Sequence, residues 1–188
     1  AICERYGILP ELPESVLKRF RNGASGSLPE TLKSGDEALA RTVNTIIGNN
    51  RLAVAAAERA ARHMGFSTLV LSTVFQGEAR HLGTFFGAIA SQIRTNGNPI
   101  QPPACIIGGG ETTVTIKGAG KGGRNQEIAL AAALEIEGIE EAAFLSGGTD
   151  GTDGPTEAAG GVVDGETAAR CRDAGYPPEK ALAHNDSF

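Results

Sequence analysis

The chain has 188 residues, 40% hydrophobic and only 5% aromatic, with no tryptophan and a formal net charge of −5. That length holds one medium domain or parts of two, and its Ala, Val, Ile and Leu content supplies a core, so wholesale disorder is excluded. The acidic balance argues against nucleic acid as a principal partner, the scattered Cys3, Cys105 and Cys171 against a disulfide framework or structural zinc and for a reducing cytoplasm, and the short apolar runs against a membrane span.

Residues 1–45 carry the weakest pattern. Pro10, Pro13 and Pro29 punctuate them, Glu14–Phe20 reads as one short helix, and Gly23–Ser34 as an exposed loop. Ala1–Arg5 reads as neither a start nor a targeting segment, so the chain is expected to be a piece of something longer. Thr42–Gly48 (TVNTIIG) has the β-branched composition of a strand. Asn49 or Asn50 then caps a helix over Arg51–Met64, with Gly65 just past its end. Ser67–Ser72 (STLVLS) is short and apolar, as a parallel strand covered on both faces would be. Leu82, Phe85, Phe86, Ile89 and Ile93 recur at helical spacing within Glu78–Arg94, and Gly97 stops that helix. Strand and helix in alternation imply a right-handed crossover and a layered α/β fold.

After the connector Asn96–Pro103 comes a short strand, Ala104–Ile107, and then Thr112–Lys117, whose alternation of hydroxyl and apolar residues predicts a half-exposed strand. The glycine-rich loop Gly118–Gly123 leads into a helix over Asn125–Glu137, ended by Gly138. Ala142–Leu145 is a further strand and runs into the glycine-rich loop Ser146–Pro155. Val162-Val163 is a brief strand or a buried turn, Glu166–Ala174 is a helix closed by Gly175, and the last residues are polar without a helix stop.

The loop Gly118-Ala-Gly-Lys-Gly-Gly123 satisfies G-x-G-x-x-G between a strand and a helix, the setting of a dinucleotide fingerprint. The strand before it is threonine-rich and no acidic residue closes the next strand, which weakens that reading. It is no P-loop either, because Gly122 follows Lys121 where Ser or Thr is required. There remains an anion site: amides at a helix N-terminus with Lys121 and Arg124 beside them, against the alternative of a flexible basic turn. Arg124 opposes the dipole of the helix it begins, which costs stability unless something negative is near; that negative group is a ligand, or else Glu111 or Glu127 in a salt bridge. Glu127 could also form a capping pair with Asn125. Asp150 and Asp153 sit in a loop after a strand, where α/β sheets place ligands, and suit Mg²⁺; Asx turns are the alternative. His63, His81 and His184 have no metal-ligand spacing, and no G-x-S-x-G elbow occurs.

The stretches GGGETTVTIKGAGKGGRNQEIALA (Gly108–Ala131) and SGGTDGTDGPTEAAGGVVD (Ser146–Asp164) closely resemble the MOFRL domain of glycerate 2-kinases, a family in which some members have been labelled hydroxypyruvate reductases. IIGNN (Ile46–Asn50), the helix after it and GEAR (Gly77–Arg80) resemble the end of that family's Rossmann-like N-terminal domain. The resemblance implies a layered α/β fold: the end of a Rossmann-like domain over 1–100, then a mixed-sheet MOFRL domain over 104–188, truncated. It implies ATP- and Mg²⁺-dependent phosphorylation of D-glycerate to 2-phosphoglycerate in an interdomain cleft. By the match to GGRNQE, Arg124 would be the catalytic arginine, neutralising charge on the transferring group. Asp150 and Asp153 would act at the reaction centre, as Mg²⁺ ligands or as the base that orients the glycerate hydroxyl. Glu111, Thr112, Gly120, Lys121, Gly122, Gly123, Asn125 and Glu127, with Asn49 and Glu78 upstream, complete the expected substrate- and nucleotide-binding set. Family members are longer, with a catalytic lysine upstream of Ala1 and a final segment beyond HNDSF, so the expected partner is a complementing N-terminal half or a second copy in a homodimer. The rival readings are an NAD(P)-dependent hydroxypyruvate reductase and an inactive ligand-binding fragment.

Overall fold

The computed structural model describes residues 2–188, which divide into two compact units, 2–46 and Ile47–Phe188. The first unit holds two helices, α1 (Ile2–Arg5) and α2 (Glu14–Ala24), and two single 3₁₀ turns, at Leu9–Glu11 and Glu37–Leu39. Pro13 stands at the N-cap of α2, a position that needs no N–H, so the helix starts where proline allows it. None of the described residues in this unit is buried. The strand expected over Thr42–Gly48 does not form. Its residues are exposed and belong to no strand, with Val43, Ile46 and Ile47 at 87, 76 and 94% exposure. β-branched composition favours an extended chain, but a ladder needs a neighbouring strand to pair with.

The second unit runs α3 (Asn50–His63), β1 (Ser67–Phe75), α4 (Ala79–Asn96), β2 (Ala104–Gly110), α5 (Arg124–Glu135), β3 (Ala143–Gly147), β4 (Gly160–Asp164), α6 (Thr167–Asp173) and α7 (Pro178–Ala183). It draws no line at 100–104: it is compact across that boundary. β1 and β2 pair in parallel, Ser67 opposite Ala104 through Val70 opposite Ile107, as strand–helix–strand order requires. β3 and β4 pair antiparallel, Ala143 opposite Asp164 through Gly147 opposite Gly160. The result is the mixed α/β fold expected from the sequence.

The core lies where α5 meets the second sheet. Ala129, Ala132, Ala133 and Ile136 of α5 pack on Val163, with Ala90, Ile139 and Phe144 around them. Helix α4 covers α5 through Gly83 and Gly87, one turn apart. A Cβ on Gly83 would lie 2.7 Å from Ala131 Cβ and 3.0 Å from Ala132 N. Two helices with alanine on one seam and glycine on the other approach until backbone meets side chain, which is why few large residues are needed here. Phe86 of α4 reaches across to Phe144 of β3, ring centroids 5.6 Å apart, and to Phe75 of β1 at 5.8 Å.

Thr112–Lys117 is not a strand either. A single bridge joins Thr113 to Glu78, and the amides that a ladder would have used are taken by side chains. Thr115 N–H donates to Glu78 Oε1 at 2.8 Å, and Lys117 N–H to Asn185 Oδ1 at 2.6 Å. Helix α7 was not legible from the periodicity, being six residues long; its marks are Pro178 in its first turn with Glu179 and Lys180 after it.

Candidate active site

Three things decide what the head of α5 can do: its cap, the loop before it, and its buried face. Gly123 is the N-cap and offers no side chain. The carboxylate of Asp153 fills that role, 28 and 27 residues beyond the amides it binds. Its Oδ1 accepts from Asn125 N at 3.0 Å and Asn125 Nδ2 at 3.1 Å, and its Oδ2 from Gln126 N at 2.8 Å. Asp153 is 2% exposed. A buried carboxylate is stable only when hydrogen-bonded, and the helix dipole favours a negative group at this end. The place that the sequence assigns to a bound phosphate is thus occupied by a side chain of the protein. Three of the roughly four acceptor positions of the Asp153 carboxylate are taken by amides, which leaves it less open to a metal ion than Asp150. Asp150 is exposed and accepts, among the described residues, from its near neighbour Thr152 N at 3.3 Å, the turn contact typical of Asp-Gly.

The glycine loop is held by the segment 184–188. Its amides do not line an open cradle. Lys117 and Gly118 N–H donate to Asn185 Oδ1, Gly120 N–H to His184 O at 3.0 Å and Lys121 N–H to Asp186 Oδ1 at 2.9 Å, while Phe188 N–H returns a bond to Lys121 O at 3.0 Å. A Cβ on Gly120 would stand 2.5 Å from Asp186 Cβ, one on Gly118 would collide with His184, and one on Gly122 with Ser187 Oγ. Glycine is required at 118, 120 and 122 because the segment 184–188 lies against them. Lys121 projects its ammonium over the Phe188 ring, 4.3 Å from the centroid.

Glu127, expected as a ligand-binding residue, is 1% exposed and closes a buried network. Arg80 Nε donates to its Oε1 at 2.9 Å and Asn185 Nδ2 to its Oε2 at 3.1 Å; Arg80 Nη2 also reaches Leu182 O at 3.0 Å. It is not a capping partner of Asn125. Arg80 and Asn185 escaped sequence reasoning as individual residues, since no spacing rule relates positions 47 and 58 residues from Glu127.

What stays accessible is Arg124. Its side chain is 42% exposed and paired with that of Glu111, 78% exposed, one of the two salt-bridge partners anticipated. Arg124 is brought to the Ser146–Pro155 loop: the next residue, Asn125, bonds Asp153 and accepts from Ser146 Oγ at 2.8 Å. Thr112 is buried nearby in sequence. Glu78 is joined to this region by Thr115, whose backbone N–H and hydroxyl both donate to its carboxylate; the Thr115 N–H holds Glu78 below the usual carboxylate range. Asn49 is not joined to it: its Oδ1 accepts from Leu52 N at 2.9 Å and caps α3. Among the described residues no three His, Cys, Asp or Glu gather as a metal cage, and no helix is long and apolar enough to cross a membrane. Mg²⁺ commonly takes one or two carboxylates and fills the rest of its shell with phosphate and water, and the exposed Asp150 fits one such ligand more readily than the buried Asp153.

Residues 104–188 match the model of the MOFRL family. Over 188 residues the chain is 44% identical to the glycerate 2-kinase of Pyrococcus horikoshii, covering all of this chain and 42% of that protein. It is 42% identical over 187 residues to the D-glycerate 2-kinase of Thermotoga maritima, again 42% of that protein's length. The crystal structure of glycerate kinase from Thermotoga maritima superposes on 76% of this chain and 34% of its own with a TM-score of 0.75 at 45% identity. The chain therefore spans less than half the length of these two curated relatives. Within that span it is similar throughout to the glycerate kinases, and it is over residues 104–188 that the MOFRL family model matches.

Proposed function

We propose that a polypeptide carrying these residues transfers a phosphoryl group from Mg-ATP to the 2-hydroxyl of D-glycerate, giving 2-phosphoglycerate. The site lies in the cleft between this portion and the remainder of a protein of the relatives' length. The observation that carries the reading is Arg124. A guanidinium at a helix head disfavours the dipole, and its pair with an exposed glutamate contributes only about 0–1 kcal/mol. Such a cation exchanges Glu111 for phosphoryl oxygens at little cost. Phosphoryl transfer needs positioning and charge neutralisation more than covalent help from the protein, and an arginine carried at the head of a packed helix supplies both. Asp150 is the carboxylate open to Mg²⁺, which when bound neutralises charge on the phosphates. Asn125 and Ser146, hydrogen-bonded to each other, present amide and hydroxyl groups suited to a small hydroxy acid. The Pyrococcus horikoshii and Thermotoga maritima relatives are named as 2-kinases of glycerate, which supports the same acceptor hydroxyl.

The test is D-glycerate-dependent release of ADP from Mg-ATP. It is measured on the 188-residue chain and on a hybrid in which these residues replace the matching segment of the Pyrococcus horikoshii relative. Arg124→Ala in the hybrid is expected to lower kcat about 100-fold or more, as loss of one charge-stabilising group does, with an unchanged melting temperature. A hybrid that oxidises NADH with hydroxypyruvate and releases no ADP would refute the reading in favour of a reductase.

A further inference from the structure

Asn185 is 7% exposed and holds a left-handed backbone conformation, φ 55°, which among residues with a Cβ asparagine tolerates better than most. Its side-chain amide makes four hydrogen bonds. Oδ1 accepts from Lys117 N at 2.6 Å and Gly118 N at 3.1 Å; Nδ2 donates to Thr115 O at 3.3 Å and Glu127 Oε2 at 3.1 Å. Both donors and both lone pairs are used, the most an amide can offer. These bonds join the entrance of the glycine loop to α5, and through Glu127 and Arg80 to α4. Arg124 lies three residues before Glu127, hence beside it on the helix surface. The amides on the other side of Arg124's turn are held by Asp153.

We infer that Asn185 is a positioning residue for Arg124: by fixing Glu127 and the loop at 115–118 it sets the rotation of the first turn of α5 and so the direction of the guanidinium. The inference gains its catalytic meaning from the proposed role of Arg124, but its test does not use turnover, so the two can fail separately. The charged groups facing the amide are Glu127 and, behind it, Arg80; Asp186 points instead to Lys121 N.

Asn185→Asp replaces two donors by a carboxylate that faces a carbonyl and the Glu127 carboxylate. It fits only when protonated, so its folded pKa lies above the unfolded value of about 3.9. Its favourable contribution is present in full below that value and is lost as pH rises through the raised one. The melting temperature of N185D should therefore approach that of the parent chain near pH 5 and fall away from it toward pH 8. In ¹H–¹⁵N spectra of the 188-residue chain, the Arg124 Nε–Hε peak should move in N185D at high pH and return as pH falls. The double variant N185D with Glu127→Gln exchanges amide and carboxyl across the contact: the new amide still accepts from Arg80 and donates to the new carboxylate. It should flatten the pH dependence and restore the Arg124 peak. Should N185D denature at neutral pH, Glu127→Gln alone is read in its place, because it sets two amide donors against each other. An Arg124 peak that stays put while the Thr115–Gly118 amides shift, or a double variant that restores nothing, would overturn the inference.

Discussion

Asp150 and Asp153 are three residues apart and chemically identical, yet they do opposite things. Asp153→Ala leaves two helix amides, the Asn125 side chain and a buried cavity without an acceptor, and should cost roughly 2–3 kcal/mol in urea denaturation. Asp150→Ala removes one bond at the surface and should leave the denaturation midpoint unchanged, while raising the Mg²⁺ concentration needed for half-maximal ADP release in the hybrid. The sequence did show that the two aspartates follow a strand and that Arg124 heads a helix. It could not show which carboxylate is buried, because both sit in the same Gly-Thr-Asp-Gly surroundings and burial is set by what folds over them. Charge alone narrowed the salt-bridge partner of Arg124 to Glu111 or Glu127, and the structure takes Glu111. The contact between Glu127, Arg80 and Asn185 was not, since it joins three elements distant in the chain.

Elements with their own punctuation were legible. Asn49 and Gly65 bracket α3, Gly97 ends α4 in the left-handed conformation at φ 71°, and Gly138 follows α5 at φ 75°. Segments whose conformation depends on a partner were not: 42–48 and 112–117 read as strands by composition, and neither finds a ladder. The α4–α5 seam gives a prediction against simple propensity. Alanine is favoured over glycine in a helix interior by about 1 kcal/mol, but at position 83 the added methyl meets the Ile128 carbonyl oxygen and Ala131 Cβ. Overpacking of that kind costs about 1–3 kcal/mol, so Gly83→Ala should lower the melting temperature where propensity alone would raise it.

At the scale of the whole molecule the α/β class was legible from the order of elements; the packing that joins α4 to α5 was not, because no linker composition announces it. The −5 balance has a thermodynamic side. Glu78 is held low by the Thr115 N–H, Asp164 by the Thr167 hydroxyl and Arg170, and Glu179 by Arg172. Each is depressed in the folded state, so its stabilisation is complete above the unfolded values of about 3.9–4.3 and is lost as pH falls through the lower folded values. The melting temperature should be flat from neutrality to about pH 5 and drop steeply below about pH 4, and Glu78→Gln should make that drop shallower.

The tethering of the glycine loop also governs the order in which the polypeptide can acquire its shape during synthesis. The amides of residues 117, 118 and 121 find their acceptors 65 to 68 positions later. A nascent chain with residues 185 and 186 still inside the ribosome has α5 in hand but nothing to hold the turn before it. This half of the unit cannot be finished vectorially from its N-terminal end; it closes in one late step, when Asn185 emerges.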